Sequence, residues 1–215
     1  MLRPSIHFLD ARDQLGDLKP WLTERLTSAF DAASDLLPLG GTDIVVKAGA
    51  YVIPENGHVG FAPEIGVIYL TVDPGNPALR ANADQSLERM VLHELHHSAR
   101  WDGPGYGRTL GEALVSEGLA GHFVQEVLTG DPEPWESLPA DSLRPYLSTA
   151  SDMWDSRDYG HPAWFFGASD MPRWLGYSQE YQLVAKFLAR NPQARASALV
   201  HARAQLFRPY LGALI

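Results

Sequence analysis

The residues with the clearest chemical potential read His-Glu-Leu-His-His at positions 93–97, and they contain the pattern HExxH. On a helix, residues four positions apart lie about 40° apart around the axis and about 6 Å apart along it. The imidazoles of His93 and His97 can therefore converge on one Zn²⁺ ion, at Zn–N distances of about 2.0–2.1 Å. Glu94 points to one side of this pair, which is the general-base position of HExxH metalloproteases. The spacing predicts a hydrolytic zinc site.

A third protein ligand must come from elsewhere in the chain. The histidine of the longer pattern HExxHxxGxxH is absent, because Gly103 stands in its place. Glu117 lies on the next predicted helix, and a loop between the two helices lets its carboxylate reach the metal. With His93 and His97 it would complete a His₂Glu site that keeps one position open. Glu112 lies about 140° away around that helix, so it is a reserve ligand or the partner of a ligand histidine.

Two segments of this region resemble known zinc metallopeptidases. His-Glu-Leu-His-His at 93–97 followed by Glu-Gly-Leu-Ala at 117–120 is similar to the gluzincin arrangement of thermolysin-type enzymes. Together with the Gly-Tyr segment at 175–184, this pattern more closely resembles the bacterial YjaZ-like family of predicted zinc-dependent proteases. The resemblance spans about residues 87–128, with a weaker match over 174–190.

The resemblance implies a zincin-like fold with Zn²⁺ as cofactor. It implies His93, His97 and Glu117 as the metal ligands and Glu94 as the catalytic base. In such folds an edge strand runs along the cleft and pairs with an extended peptide. We expect residues 66–72 to be this strand and residues 61–65 to form the rim of the cleft.

The developing oxyanion needs a further hydrogen-bond donor. Tyr177 is the favoured candidate because it lies in the family-like Gly-Tyr segment, and His161 is the second. Tyr106 and Tyr181 are further candidates from the same half of the chain. For Tyr177 and His161 ordinary packing is the competing interpretation.

Three other polar residues near the motif have weaker claims to the site. His96 is adjacent to the motif but off its face, and we expect it to pack or to be solvated. His122 and Asp102 could each orient a ligand histidine from outside the ligand shell.

Hydrophobic periodicity predicts the elements that must position these residues. The first half begins with a helix, and strands follow it. Asp84 is the predicted N-cap of the HExxH helix, and Thr109 is the predicted N-cap of the next helix. The predicted helices cover residues 18–37, 84–100, 110–128, 178–189 and 194–206, and the predicted strands cover residues 43–47, 59–62 and 66–72. A loop-rich section separates the predicted helix over residues 110–128 from the one over residues 178–189.

The pattern as a whole predicts an α+β, zincin-like fold: a small mixed β-sheet, an active-site HExxH helix and a mainly helical C-terminal half. We expect one domain over residues 1–215. Residues 1–80 would form its α/β part with the edge strand, and residues 81–215 would form the helical part with the metal ligands.

Composition narrows the class of protein. The 215 residues include no cysteine, which excludes disulfides, thiolate metal sites and a thiol nucleophile. The net charge of −9 arises from 17 Lys and Arg against 26 Asp and Glu, without a basic cluster, so a nucleic-acid partner is disfavoured. No apolar run approaches the roughly 20 residues of a membrane helix, and the N-terminal residues are acidic rather than apolar. We therefore expect a cytoplasmic protein with no membrane partner.

The leading hypothesis is a zinc metallopeptidase that hydrolyses peptide bonds with water activated by Glu94. Its expected partner is a peptide or protein substrate, and no oligomeric state is indicated. The alternative is a zincin-like module that binds a peptide or protein and acts as a weak catalyst or regulator. A hydrolase of non-peptide amides is a third possibility. Glu94 favours the first hypothesis, because a purely structural metal site has no use for a base beside an open position.

Overall fold

The chain forms two compact units in the computed structural model, which describes residues 2–168, 170–212 and 214. We refer to Met1–Asp102 as the N-terminal unit and to Gly103–Ile215 as the C-terminal unit. The first holds a small sheet and the HExxH helix, and the second is helical, so the fold class is α+β as predicted. Among the described helices, none is both long enough and apolar enough to cross a membrane.

Within the described residues, the sheet of the N-terminal unit has four strands in the order β1-β2-β4-β3. The strands are β1 (Ser5–Leu9), β2 (Asp43–Ala48), β3 (His58–Glu64) and β4 (Val67–Val72). β2 pairs in parallel with both β1 and β4, whereas β3 pairs with β4 in antiparallel orientation. The turn between β3 and β4 passes through Gly66, whose φ of +69° favours glycine.

The core of the N-terminal unit lies between one face of the sheet and two helices. These helices are α1 (Leu18–Ser34) and α3 (Ser86–Arg100), with the short α2 (Pro77–Ala81) between β4 and α3. Alternate residues of β4, Ile68 and Leu70, are buried, while Tyr69 between them is exposed. This period of two predicts a strand with one buried face, and it orients the sheet toward α3.

Helix α4 (Leu110–Val127) packs against α8 (Leu175–Arg190) at the centre of the C-terminal unit. A Cβ atom on Gly118 of α4 would lie 2.6 Å from the carbonyl oxygen of Glu180, so glycine allows the two backbones to come this close. The remaining helices are short: α5 (Ala140–Leu143), α6 (Leu147–Asp152), α7 (His161–Phe166) and α9 (Arg208–Leu211).

The helix expected over residues 194–206 is a wrong prediction. The structure has only 3₁₀ turns there, at Ser197–Leu199 and Ala204–Leu206. The Glu126 carboxylate of α4 accepts hydrogen bonds from the Ser197 N–H (3.0 Å) and hydroxyl (2.6 Å). Arg203 is extended, with φ −80° and ψ 145°. These tertiary contacts outweigh the helical propensity of the segment, which is rich in Ala, Arg and Leu.

The edge strand also differs from expectation. The sequence predicts residues 66–72 at the edge, but β4 lies inside the sheet between β2 and β3. The segment expected as the cleft rim, 61–65, belongs largely to β3, which is the edge strand beside α3. The order of strands depends on pairing between distant segments, which the periodicity of one segment does not encode.

His58 gives the N-terminal unit a pH-dependent stability. Its ring is fully buried on β3, with Nε2 3.2 Å from the Ser86 hydroxyl and no hydrogen-bond partner for Nδ1 among the described residues. Burial lowers the pKa of His58 from 6.5 to about 4. Between these two values the unfolded chain binds a proton that the folded chain does not, so the free energy of unfolding falls as the pH falls. The expected loss is about 3 kcal/mol.

Urea unfolding of metal-free protein at a series of pH values between 7 and 4 measures this loss. His58→Gln should flatten the dependence, while the matched variant His201→Gln, at an exposed position, should keep it. Equal slopes for His58→Gln and the parent protein would show that other groups carry the effect.

Candidate metal centre

Helix α3 carries the HExxH residues and brings the two histidines of this pattern together. The Nε2 atoms of His93 and His97 lie 3.0 Å apart, and the two rings are nearly perpendicular, at 78°. Two nitrogens bound to one tetrahedral Zn²⁺ would lie about 3.3 Å apart. His97 and Glu94 are buried, and His93 is half-buried. The two imidazoles therefore already converge as the spacing of the motif predicts.

The start of α3 is held by side chains from the preceding turn and from α1. The Asn82 amide oxygen accepts a hydrogen bond from the Leu87 N–H at 2.9 Å, and the amide nitrogen donates to Glu88 at 2.7 Å. Glu88 also accepts from Arg25 of α1. The capping role predicted for Asp84 therefore belongs to Asn82. Asp84 has left-handed backbone angles, and its side chain makes no cap.

Helix α4 begins at the N-cap that the sequence predicts, Thr109, and the side chain of Glu112 takes part in the same cap. The Thr109 hydroxyl accepts from the Glu112 N–H, and the Glu112 carboxylate accepts from the N–H groups of Thr109 (3.0 Å) and Arg108 (2.7 Å). This reciprocal pair is a capping box. Because its carboxylate serves the helix terminus, Glu112 is a poor reserve ligand, and Glu117 is the acid of α4 left for the metal.

Glu117 is buried and lies among polar aromatic groups of the C-terminal unit. Burial and the Glu117 charge raise the pKa of the Tyr106 phenol well above its usual range, and this phenol is hydrogen-bonded to Glu117. Burial, together with the charges of Glu117 and Glu136, also raises the pKa of Glu180 well above its usual range. The neutral forms of both groups are therefore favoured beside the Glu117 carboxylate.

The residues proposed as oxyanion donors fall into two groups. His161 stacks on Phe165 at 4.4 Å, and Tyr177 meets the same ring edge-on at 5.0 Å. Tyr106 lies edge-on to His161 at 6.1 Å. We call Tyr106, His161, Phe165 and Tyr177 the aromatic cluster. Tyr181 lies outside it.

Histidines outside the motif have other surroundings. Tyr181 stacks on His122 at 4.1 Å, and the Nε2 of His122 is 2.9 Å from the Tyr181 carbonyl oxygen. Burial lowers the pKa of His122. His161 belongs to the aromatic cluster, and the hydroxyl of Tyr159, outside that cluster, lies 3.1 Å from its Nδ1. Burial lowers the pKa of His161, while the charge of Glu117 opposes this. His96 is buried on α3 and does not belong to the group of possible metal donors, which consists of His93, His97 and Glu117.

Three donors come together as a metal site requires. One nitrogen each of His93 and His97 and one carboxylate oxygen of Glu117 all lie within 4.8 Å of one another. Two imidazoles and one carboxylate are the protein ligands of many catalytic zinc centres. The donor chemistry and the close Nε2 atoms therefore fit a zinc ion.

Comparison with known proteins also points to zinc. Residues 22–208 match the model of a family described as Predicted Zn-dependent protease (DUF2268). The chain belongs to this family. The match to the family includes α3, α4 and α8, which carry the HExxH motif, Glu117 and Tyr177. No curated protein matches the chain significantly.

Sequence reasoning missed two features near these residues. It considered Tyr106 only as an oxyanion donor and not as a hydrogen-bond partner of Glu117, although Tyr106 stands in a Gly-Tyr-Gly turn just before α4. It also assigned no role to the buried Glu180. Tyr177 and Glu180 are three residues apart, a helical spacing that places both on one face of the helix. This spacing is the sequence signal that could have drawn attention to Glu180 once Tyr177 was a candidate.

Proposed function

We propose that this chain is a zinc-dependent peptidase of the gluzincin type, in which His93, His97 and Glu117 hold the ion. The observation that carries the proposal is the convergence of these three donors within 4.8 Å. Membership of a family of predicted zinc-dependent proteases supports the same activity. The small sheet beside an HExxH helix is consistent with a zincin-like arrangement.

Glu94 is the proton carrier of the proposed reaction. A bound zinc ion supplies Lewis acidity, which makes water a competent nucleophile near neutral pH. The Glu94 carboxylate accepts the proton of the attacking water and then delivers it to the amine that leaves. Burial of Glu94 beside β3 limits the competing water that could exchange with this proton.

Tyr177 and His161 are the proposed donors to the oxyanion that forms from the substrate carbonyl. Both pack on Phe165, so one ring holds the two side chains in place. A phenol and an imidazole whose N–H points to the reacting oxygen stabilise negative charge as it develops. The hydrogen bond from Tyr106 to Glu117 makes Tyr106 a support of the proposed ligand instead.

The proposed substrate is an extended peptide paired with the outer edge of β3. Backbone groups of alternate residues in a strand point to the same edge. The His58 carbonyl accepts from the Ile53 N–H (3.2 Å), and the Ala62 carbonyl accepts from the Trp101 indole (2.9 Å). Gly60 lies between them, so its N–H and C=O point to this edge as well. A peptide would bond to β3 at Gly60, within a short window bounded by Ile53 and Trp101.

Metal removal tests the proposed activity. We expect the purified protein to contain about one zinc per chain and to cleave casein or a peptide library. Treatment with 1,10-phenanthroline should abolish cleavage, and added Zn²⁺ should restore it after the chelator is removed. Mass spectrometry of the products checks that peptide bonds are broken. Stoichiometric zinc without cleavage of any peptide would contradict the proposal and favour a peptide-binding module.

A further inference from the structure

The backbone of β3 lies unusually close to Glu94 at one residue, Gly60. A Cβ atom built on Gly60 would lie 2.6 Å from Cγ and 3.1 Å from Cδ of Glu94, and 3.0 Å from the sulfur of Met90. Real Cβ atoms essentially never approach another heavy atom closer than 3.0 Å. The side chain of Glu94 therefore occupies the space that any other residue at position 60 would need.

The glycine is not required by the backbone itself. Gly60 lies within β3 and is not among the residues with positive φ, so an L-amino acid could adopt its conformation. His58 and Ala62, two residues away on either side and on the same face of β3, both carry buried side chains. Glycine is therefore needed at position 60 because side chains of α3, in particular that of Glu94, pack directly against this part of the strand.

We infer that Gly60 is a positioning residue for Glu94, in that the bare backbone of β3 is the surface against which the carboxyl side chain is held. The inference rests on the proposed function, in which Glu94 is the general base. A general base must lie within hydrogen-bond reach of the proton it removes, and a misplacement of 1 Å can cost about 100-fold in rate. A methyl group at Gly60 would displace the Glu94 side chain, whereas the three heavy atoms nearest to this methyl belong to Glu94 and Met90 and not to the two ligand imidazoles.

Gly60→Ala tests this role in the active protein. We expect kcat to fall about 10- to 100-fold, with KM nearly unchanged and zinc still bound at one ion per chain. KM should change little because the new methyl points to α3, whereas the backbone groups that pair with the peptide point to the edge of the sheet. The matched control is Gly40→Ala, because a Cβ atom there would meet nothing within 4 Å and kcat should stay unchanged. An unchanged kcat in Gly60→Ala would overturn the inference.

A second measurement needs neither metal nor activity. In metal-free protein, Gly60→Ala should lower the urea midpoint of unfolding, because the methyl meets the Glu94 side chain. In a Glu94→Ala background the same substitution should lower the midpoint much less. Met90→Ala provides the matched background, in which the contact with Glu94 persists and the destabilisation should remain. Equal effects of Gly60→Ala in the parent and Glu94→Ala backgrounds would overturn the positioning contact. If the parent protein cleaves no peptide, the proposed function fails, and this cycle still decides the role of Gly60.

Discussion

Glu94→Gln is expected to lower kcat/KM for peptide cleavage by about 10²- to 10⁴-fold, the usual contribution of a general base. Glutamine has nearly the same size and fits the same space against β3, but its amide cannot accept the proton of the attacking water. Neither His93 nor His97 is altered, so the variant should still bind about one zinc per chain. Cleavage of a fluorogenic peptide, measured at equal zinc occupancy, gives the ratio.

Glu55→Gln is the matched control for this substitution. Glu55 is exposed in the turn before β3, and the same chemical change there should leave kcat/KM unaltered. Full activity in Glu94→Gln would remove Glu94 from the proton-transfer role. Loss of zinc from the variant would instead assign Glu94 to the ligand set, which the side-by-side placement of the two Nε2 atoms argues against.

The helices that carry the candidate site were predictable because their signals are local. The HExxH spacing fixes His93 and His97 on one side of α3 whatever the rest of the chain does. Thr109 and Glu112 form the capping box that starts α4, and this pattern can be recognised from residues three positions apart. The Nε2 atoms of these two histidines lie 3.0 Å apart, as a shared side of the helix allows.

The features that were missed depend on segments far apart in sequence. β1 (Ser5–Leu9) was not predicted, since its alternate residues Ile6 and Phe8 are only half-buried and its parallel partner begins at Asp43. The position of β3 at the edge depends on which strands pair with β4. The segment over residues 194–206 follows the contact of Ser197 with Glu126, 71 residues earlier, rather than its own propensity.

The same division explains why Gly60 could not be singled out from sequence. A glycine in a strand usually marks a bulge or a close approach of another group, but the sequence does not name that group. Only the packing of α3 on β3 identifies the neighbour as Glu94. Local patterns therefore fixed which residues could react, whereas tertiary packing determines how they are held.

Glu117→Gln is expected to weaken zinc binding by more than about 100-fold, because loss of even an outer-sphere partner of a zinc ligand costs about 10- to 100-fold. The amide keeps the size of the side chain and can still accept a hydrogen bond from Tyr106, but it lacks the negative charge that a zinc ligand provides. His97→Ala should abolish stoichiometric zinc. Competition with a chromophoric chelator measures each affinity.

Glu112→Gln separates ligation from general damage to α4. Glutamine still completes a capping box with Thr109, so this variant should fold and bind zinc as the parent protein does. Circular dichroism of the three variants checks that the helices are retained. An unchanged zinc affinity in Glu117→Gln together with a loss in Glu112→Gln would transfer the ligand role to Glu112. Retention of full zinc occupancy in His97→Ala would refute the HExxH motif as the metal site. One remaining imidazole and one carboxylate hold zinc far less tightly than three converging donors.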